Sequence, residues 1–204
     1  MKERFIPPPI LEATALVQRL RAGEAAIIPT DTLPGLAVMP DQAQTLWHLK
    51  RRPADKPLIL MGATVDDLLQ EVDVSCHREV EALAEHYWPG ALTLVLPACD
   101  GGAACHLNPG GRTLGCRIPA CEQTRELLQI SGPLATTSAN RSGEPASMTS
   151  ADASRYFPDV AQLGPQPWSQ PSGQASTVLV WVEVGRWRLA RRGAVIPAGL
   201  EVFE

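Results

Sequence analysis

Three groups of polar side chains in this 204-residue chain stand where apolar runs stop, and each could hold a small anionic or polar ligand. The first is Lys50-Arg51-Arg52-Pro53, with Lys56 four residues beyond Arg52. Arginine offers a planar fork of donors and lysine a point charge, and together they suit a di- or triphosphate; a solvated basic loop has the same composition. The second is Thr137-Ser138-Ala139-Asn140, two hydroxyls and an amide that follow Leu134-Ala135-Thr136. It reads either as a holder of phosphate or carboxylate oxygens, or as a helix cap or Asx turn. The third is Ile27-Ile28-Pro29-Thr30-Asp31-Thr32-Leu33-Pro34-Gly35-Leu36, a stiff corner between two apolar runs. A turn made only to reverse the chain favours Asn-Gly or Asp-Gly. This corner is either an ordinary strand-loop-strand or a binding corner for a small polar molecule at the end of a buried strand.

Single residues add to these groups. Arg117 lies between Cys116 and Ile118 in an apolar run, so it is either exposed on an edge strand or buried with an anionic partner. Ser176-Thr177 opens a strand after a glycine-bearing loop, and Arg191 stands two residues before Gly193. Hydrolase and metal templates fail. Ser138 has no G-x-S-x-G elbow, none of His48, His77, His86 or His106 has a triad setting, and H-E-x-x-H is absent. The Asp100 to Arg112 stretch matches neither phosphate-loop pattern and reads as a mobile loop. No metal site from protein side chains is expected, since Cys105-His106 lacks two further ligands at metal spacing.

Composition narrows the class. Net charge is −4, yet Lys50, Arg51, Arg52 and Lys56 crowd one loop and Arg186, Arg188, Arg191 and Arg192 another. An acidic chain with tight basic clusters fits a compact polyanion better than a long duplex. Five cysteines without a C-x-x-C pair argue against a disulfide framework and for reduced thiols. With no signal-peptide core and no apolar run of membrane-spanning length, a cytoplasmic protein without a membrane partner is expected.

The elements that must position these groups follow from periodicity. Ile10, Ala13, Val17 and Leu20 predict a helix over 10–22, ended by Gly23. Strands are predicted over 25–29 and 36–39, followed by a helix capped by Asp41, and by a strand over 57–61. Thr64 and Asp67 form a capping-box pattern, a longer helix starts at Ser75, and 91–96 is a strand. Further strands are predicted over 114–118 and 134–136, with helices over 122–130 and from Ser150, as its cap, to Phe157. Gly164 to Gly173 reads as a semi-rigid connector or lid, and 176–182 with 187–190 as a hairpin turning at Gly185-Arg186. The class is α/β with a mixed parallel and antiparallel sheet.

Taken in order, the motifs are more specific than any one of them. Pro29-Thr30-Asp31-Thr32-x-x-Gly35-Leu36, Lys50-x-Arg52-Pro53 with Lys56-Pro57-Leu58, and Pro89-Gly90-x-x-Thr93 come first. Arg117-x-Pro119, Ser138-Ala139-Asn140-x-Ser142-Gly143, Ser176-Thr177 and Arg191-x-Gly193 follow. The set resembles the YrdC-type family of L-threonylcarbamoyladenylate synthases over about residues 25–193, which makes 1–204 a single YrdC-like domain.

The resemblance implies a twisted mixed sheet with flanking helices and a basic concave groove. It implies a reaction of L-threonine, bicarbonate and ATP, with Mg²⁺ on the triphosphate, giving threonylcarbamoyl-AMP and pyrophosphate. The acceptor further on is a tRNA adenosine, reached through threonylcarbamoyl-transferase partner proteins. By motif match, Lys50, Arg52, Lys56, Thr113, Ser138, Asn140 and Arg191 hold ATP. Thr32, Arg117, Ser138 and Ser176 hold threonine and its carbamate. Lys50 and Arg52 act as electrostatic stabilisers rather than nucleophiles, and alanine at either is expected to abolish turnover without unfolding the chain. Thr30 and Asp31 are expected to shape the corner. Two positions depart from the family pattern: Pro34 replaces the usual aromatic before Gly-Leu, and Met61 or Gly62 replaces a histidine seen in some members. The competing reading is a paralogue that keeps the fold but binds RNA or nucleotide without synthase activity. A carbamoyl-transfer module acting on another acceptor belongs to longer chains.

Overall fold

The computed structural model describes residues 8–53, 55–198 and 200–203. Its strands are β1 (Ile10–Leu11), β2 (Ala26–Ile28), β3 (Gly35–Val38), β4 (Ile59–Met61), β5 (Leu92–Pro97) and β6 (Thr113–Arg117). They continue as β7 (Leu134–Ser138), β8 (Ala161–Leu163), β9 (Thr177–Glu183), β10 (Arg186–Arg191) and β11 (Glu201–Phe203). All join one sheet of order β1-β8-β2-β3-β7-β4-β6-β5-β9-β10-β11. Pairing is parallel for β2/β8, β4/β6 and β5/β9, and antiparallel for β2/β3, β3/β7, β4/β7, β5/β6 and β9/β10. The mixed α/β sheet is the predicted class.

Both faces of the sheet are covered, which explains why its inner strands read as continuous apolar runs rather than alternating ones. On β2, Ile27 packs into one core, and Ala26 and Ile28 into the other. The second core is closed by helices α1 (Ala13–Arg21) and α6 (Glu122–Ser131), through Leu16, Val17, Leu20, Leu127 and Leu128. The larger core lies beneath α2 (Gln44–Lys50), α3 (Val65–Leu69), α4 (His77–Tyr87), α5 (Ala104–Leu107) and α7 (Ser150–Tyr156).

Several local expectations change. Ile10 and Leu11 leave the first helix and pair in parallel with Gln162 and Leu163, so strand pairing outweighs their helical spacing. Asp41 does not cap α2; it sits in a 3-10 turn, Pro40–Gln42, that proline starts before the helix begins. Ser75 likewise falls in a 3-10 turn, Val74–Cys76, ahead of α4. The cap of α7 is Thr149 in a capping box with Asp152, rather than Ser150; the T-x-x-D pattern was the available signal. The Thr64–Asp67 box forms as expected. The Asp100 to Arg112 stretch contains α5, whose Leu107 carbonyl accepts from Leu58 N at 2.9 Å. The hairpin turns at Val184-Gly185, one residue early, with Gly185 at φ 80. β8 and β11, three residues each, carried no pattern long enough to read.

Candidate active site

A cavity of about 220 Å³ opens where the Pro29–Pro34 corner, the ends of β6 and β7 and the start of β9 meet. Of the residues singled out in the sequence, Thr32, Arg52, Arg117, Ser138, Ser176 and Arg191 line it. Met61, one of the two positions matched to a family histidine, lines it as well, and Gly62 does not. Sequence reasoning missed Ile59, Thr136 and Ala175 as further wall residues. No local pattern marks them, because sheet pairing brings them in.

The corner is built by Thr30. Its hydroxyl donates to Leu33 O at 2.6 Å and accepts from the backbone N–H groups of Thr32 and Leu33, each at 3.1 Å. That closed turn presents Thr32, 3 % exposed. Arg117, also 3 % exposed, supports the corner from below: Nη1 donates to Thr32 Oγ1 at 2.8 Å, Nη2 to Asp31 Oδ1 at 2.8 Å, and Nε to Gly90 O at 2.9 Å. The anionic partner that a buried arginine requires is therefore Asp31, whose Oδ1 also accepts from Ala120 N. Burial weakens the Arg117 cation, and Asp31 opposes that. The Pro89-Gly90 motif acquires its reason here: a Cβ on Gly90 would fall 2.5 Å from Tyr87 O, so only glycine lets this carbonyl reach Arg117.

Lys50 and Arg52, two residues apart, have different surroundings. Lys50 is 2 % exposed. Its Nζ donates to Asn140 O at 2.5 Å and to Ser138 O, with Ser138 Oγ and Asn140 Oδ1 each at 3.4 Å. It fastens the Ser138-Ala139-Asn140 turn from inside and does not line the cavity. Burial, and then the neighbouring Arg52, push its ammonium down to about 8; the two carbonyls pull the other way by accepting its protons. Asn140 is also turned inward. Its Oδ1 accepts from Ser138 Oγ at 2.6 Å, and its Nδ2 donates to the carbonyls of Glu144 and Arg141.

Arg51, at φ 50, ends α2 in the left-handed region and turns the chain toward the cavity. Arg52 is then held by the Lys56 and Pro57 carbonyls at 3.2 and 3.0 Å. It has no carboxylate within salt-bridge distance among the described residues, and neither has Arg191. Burial lowers both arginines, and for Arg52 Asp55 opposes that while Arg191 adds to it. Two guanidiniums that repel each other on one cavity wall are a demand for anionic oxygens. Lys56 is exposed, and Thr113 accepts from Asn108 Nδ2 at 3.2 Å; neither lines the cavity.

Ser176 closes the remaining side. Arg191 donates to it twice, Nε to its carbonyl at 3.0 Å and Nη2 to its Oγ at 3.1 Å. Gly193 makes this possible, because any Cβ there would meet Ala175 O and the Ser176–Thr177 peptide at 2.3 to 2.4 Å. The Gly164–Gly173 connector ends against the corner, with Ser172 N and Gly173 N donating to the Asp31 and Thr32 carbonyls at 2.9 and 3.0 Å. Pro34 faces away from this cavity and lines a neighbouring one with Trp168 and Met148. Among the described residues no carboxylate lines the first cavity, and no cluster of three or more His, Cys, Asp or Glu could hold a metal ion.

Hydroxyls, and arginines without a carboxylate partner among the described residues, thus converge on one cavity of a mixed-sheet protein. The sequence profile of the Sua5/YciO/YrdC family, described as "Telomere recombination", matches residues 18–193, and the chain belongs to that family. Threonylcarbamoyl-AMP synthase of Bacillus subtilis is 34 % identical over 143 residues, covering 68 % of this chain and 40 % of that protein. The Mus musculus protein of the same name is 34 % identical over 191 residues, covering 89 % of this chain and 67 % of that one. The crystal structure of Pyrococcus abyssi Sua5 complexed with L-threonine superposes with a TM-score of 0.81 at 29 % identity, covering 89 % of this chain and 54 % of that one. The chain thus spans about two-fifths to two-thirds of the length of these relatives.

Proposed function

We propose that this chain is an L-threonylcarbamoyladenylate synthase, joining L-threonine, bicarbonate and ATP into threonylcarbamoyl-AMP and pyrophosphate. One observation carries the reading: Arg52 and Arg191, without carboxylate partners among the described residues, share a cavity wall with Thr32, Ser138 and Ser176. Arginines left unpaired suit a triphosphate, and the hydroxyls suit an amino acid and its carbamate. The names of the bacterial and mammalian relatives, and the L-threonine held by the archaeal Sua5, support the same assignment.

The chemistry asks little of the protein beyond alignment. Bicarbonate loses hydroxide to give carbon dioxide; the threonine amine adds to it, and its proton leaves with the hydroxide as water, forming a carbamate. A carbamate oxygen attacks the α-phosphorus, and pyrophosphate leaves. No protein nucleophile is required. Arg52 and Arg191 neutralise the repulsion between the two anions, and the fastened Ser138–Asn140 turn presents Ser138 without rearrangement. Asn140 and Lys50 contribute by holding that turn, and Arg117 by holding Thr32. Lys56 and Thr113 keep ligand roles only for a nucleotide that extends past the cavity. Mg²⁺ bound with the nucleotide would offset part of the phosphate charge beside Arg52 and Arg191; among the described residues no carboxylate lines the cavity to hold the ion. We further read the described residues as one domain whose groove is basic, working in the cytoplasm and supplying a tRNA modification through transferase partners. No helix among the described residues is long and apolar enough to cross a membrane.

The test is purified protein with ATP, L-threonine, bicarbonate and Mg²⁺, followed by pyrophosphate. Threonine-dependent release is expected; its absence from folded protein rejects the synthase and leaves the nucleotide- or RNA-binding paralogue.

A further inference from the structure

Thr93 lies on β5, 1 % exposed and behind the cavity wall rather than in it. Its hydroxyl has one partner among the described residues, Ser176 Oγ at 2.8 Å. A hydroxyl has one proton to give and two lone pairs. If Ser176 gave its proton to Thr93, the Thr93 proton would be buried with nothing to accept it, an arrangement that folded proteins avoid. Thr93 is therefore the donor. Arg191 Nη2 donates to the same Ser176 Oγ at 3.1 Å, so both lone pairs are filled. The Ser176 proton is left for the cavity that Ser176 lines.

The same accounting leaves Thr32, at the corner, open in both directions. Thr30 spends its proton on Leu33 O, a carbonyl that can only accept, and its two lone pairs on the N–H groups of Thr32 and Leu33. The Thr30–Thr32 hydroxyl contact at 3.0 Å therefore finds no free lone pair on Thr30. Thr32 accepts from Arg117 Nη1 and keeps its proton and a second lone pair. One wall of the cavity presents a hydroxyl that can give or accept, and another a hydroxyl fixed as a donor beside a guanidinium.

We infer that Thr93 is a positioning residue that sets the polarity of the second wall: it fixes Ser176 as a donor to an anionic oxygen of an amino-acid ligand. The inference rests on the synthase reading. It supplies a role for the last residue of Pro89-Gly90-x-x-Thr93.

Kinetics and L-threonine binding by calorimetry, on the full chain, test it. Thr93→Val keeps the shape and removes the hydroxyl; the KM for threonine should rise about tenfold with kcat within twofold, and threonine affinity should fall to match. Thr93→Ser should restore both. In a Ser176→Ala background Thr93→Val should add nothing, because there is no hydroxyl left to orient. Should Thr93→Val fail to fold, the near-isosteric and weakly donating Thr93→Cys takes its place. Unchanged threonine KM in Thr93→Val, equal impairment in Thr93→Ser, or a full second loss in the Ser176→Ala background overturns the inference and leaves the function standing. A folded wild type that neither binds L-threonine nor releases pyrophosphate overturns both.

Discussion

The cations of this protein fall into two populations that composition cannot tell apart. Lys50 and Arg117 are sealed inside, with their donors given to carbonyls, to Thr32 and to Asp31. Arg52 and Arg191 are partly open, held by backbone carbonyls and lacking a carboxylate partner among the described residues. We propose that a cation whose hydrogen bonds are completed inside the fold serves architecture, and that one held in place but not neutralised is kept for a ligand. On that proposal alanine at Lys50 and at Arg52, expected from the motif to act alike by abolishing turnover in a folded chain, should differ: loss of Lys50 should lower stability and loss of Arg52 should not.

The largest effect should come from breaking the interior population. Arg117→Met leaves Asp31 uncompensated beneath the corner and should destabilise the fold by about 3–5 kcal/mol in urea unfolding. A loss below 1 kcal/mol would show that the pair is not structural. Arg52→Ala tests the other population: threonine-dependent pyrophosphate release should fall by about 10²–10³ with the unfolding midpoint unchanged. Equal losses of stability in both variants would dissolve the distinction. Gly193→Ala should cost about 1–3 kcal/mol, since its methyl collides with the Ser176–Thr177 peptide, and should weaken threonine binding along with it. The last test is the titration of Lys50. Its ammonium is pushed from 10.5 down to about 8, so between those values the unfolded chain keeps a proton that the folded chain has lost. Stability should therefore rise with pH across that window and stay level just below it. The slope should be missing in Lys50→Met, and NMR of the lysine side chains should find one midpoint near 8.

Much of this difference could have been read from helical phase. Leu46, Trp47 and Lys50 are the buried residues of α2, and the i to i+4 step from Leu46 puts Lys50 on the core face. Arg52 lies past the left-handed Arg51, off that face. The strands around the corner were legible because both sheet faces are covered, and the corner was legible because its residue types exceed what a turn needs. The partner of Arg117 was legible only in kind, as an anion. That it is Asp31, 86 residues away, depends on sheet order, which no local pattern encodes. The same limit hid Ile59 and Thr136. Thr93 stood inside a recognised motif without a role, because the reason for it is the direction of one proton.

Three of the contacts that build the cavity share one property. Thr32 meets Arg117 across 85 residues, Lys50 meets Asn140 across 90, and Thr93 meets Ser176 across 83. No segment shorter than these spans contains both partners of these three contacts, so closing the loops comes before any reward from them. A clipped chain can keep the local Ser176–Arg191 wall but not the corner that faces it. Conversely, a ligand that fills the cavity draws on every one of these closures at once, and should protect amides on strands far apart in sequence together rather than singly.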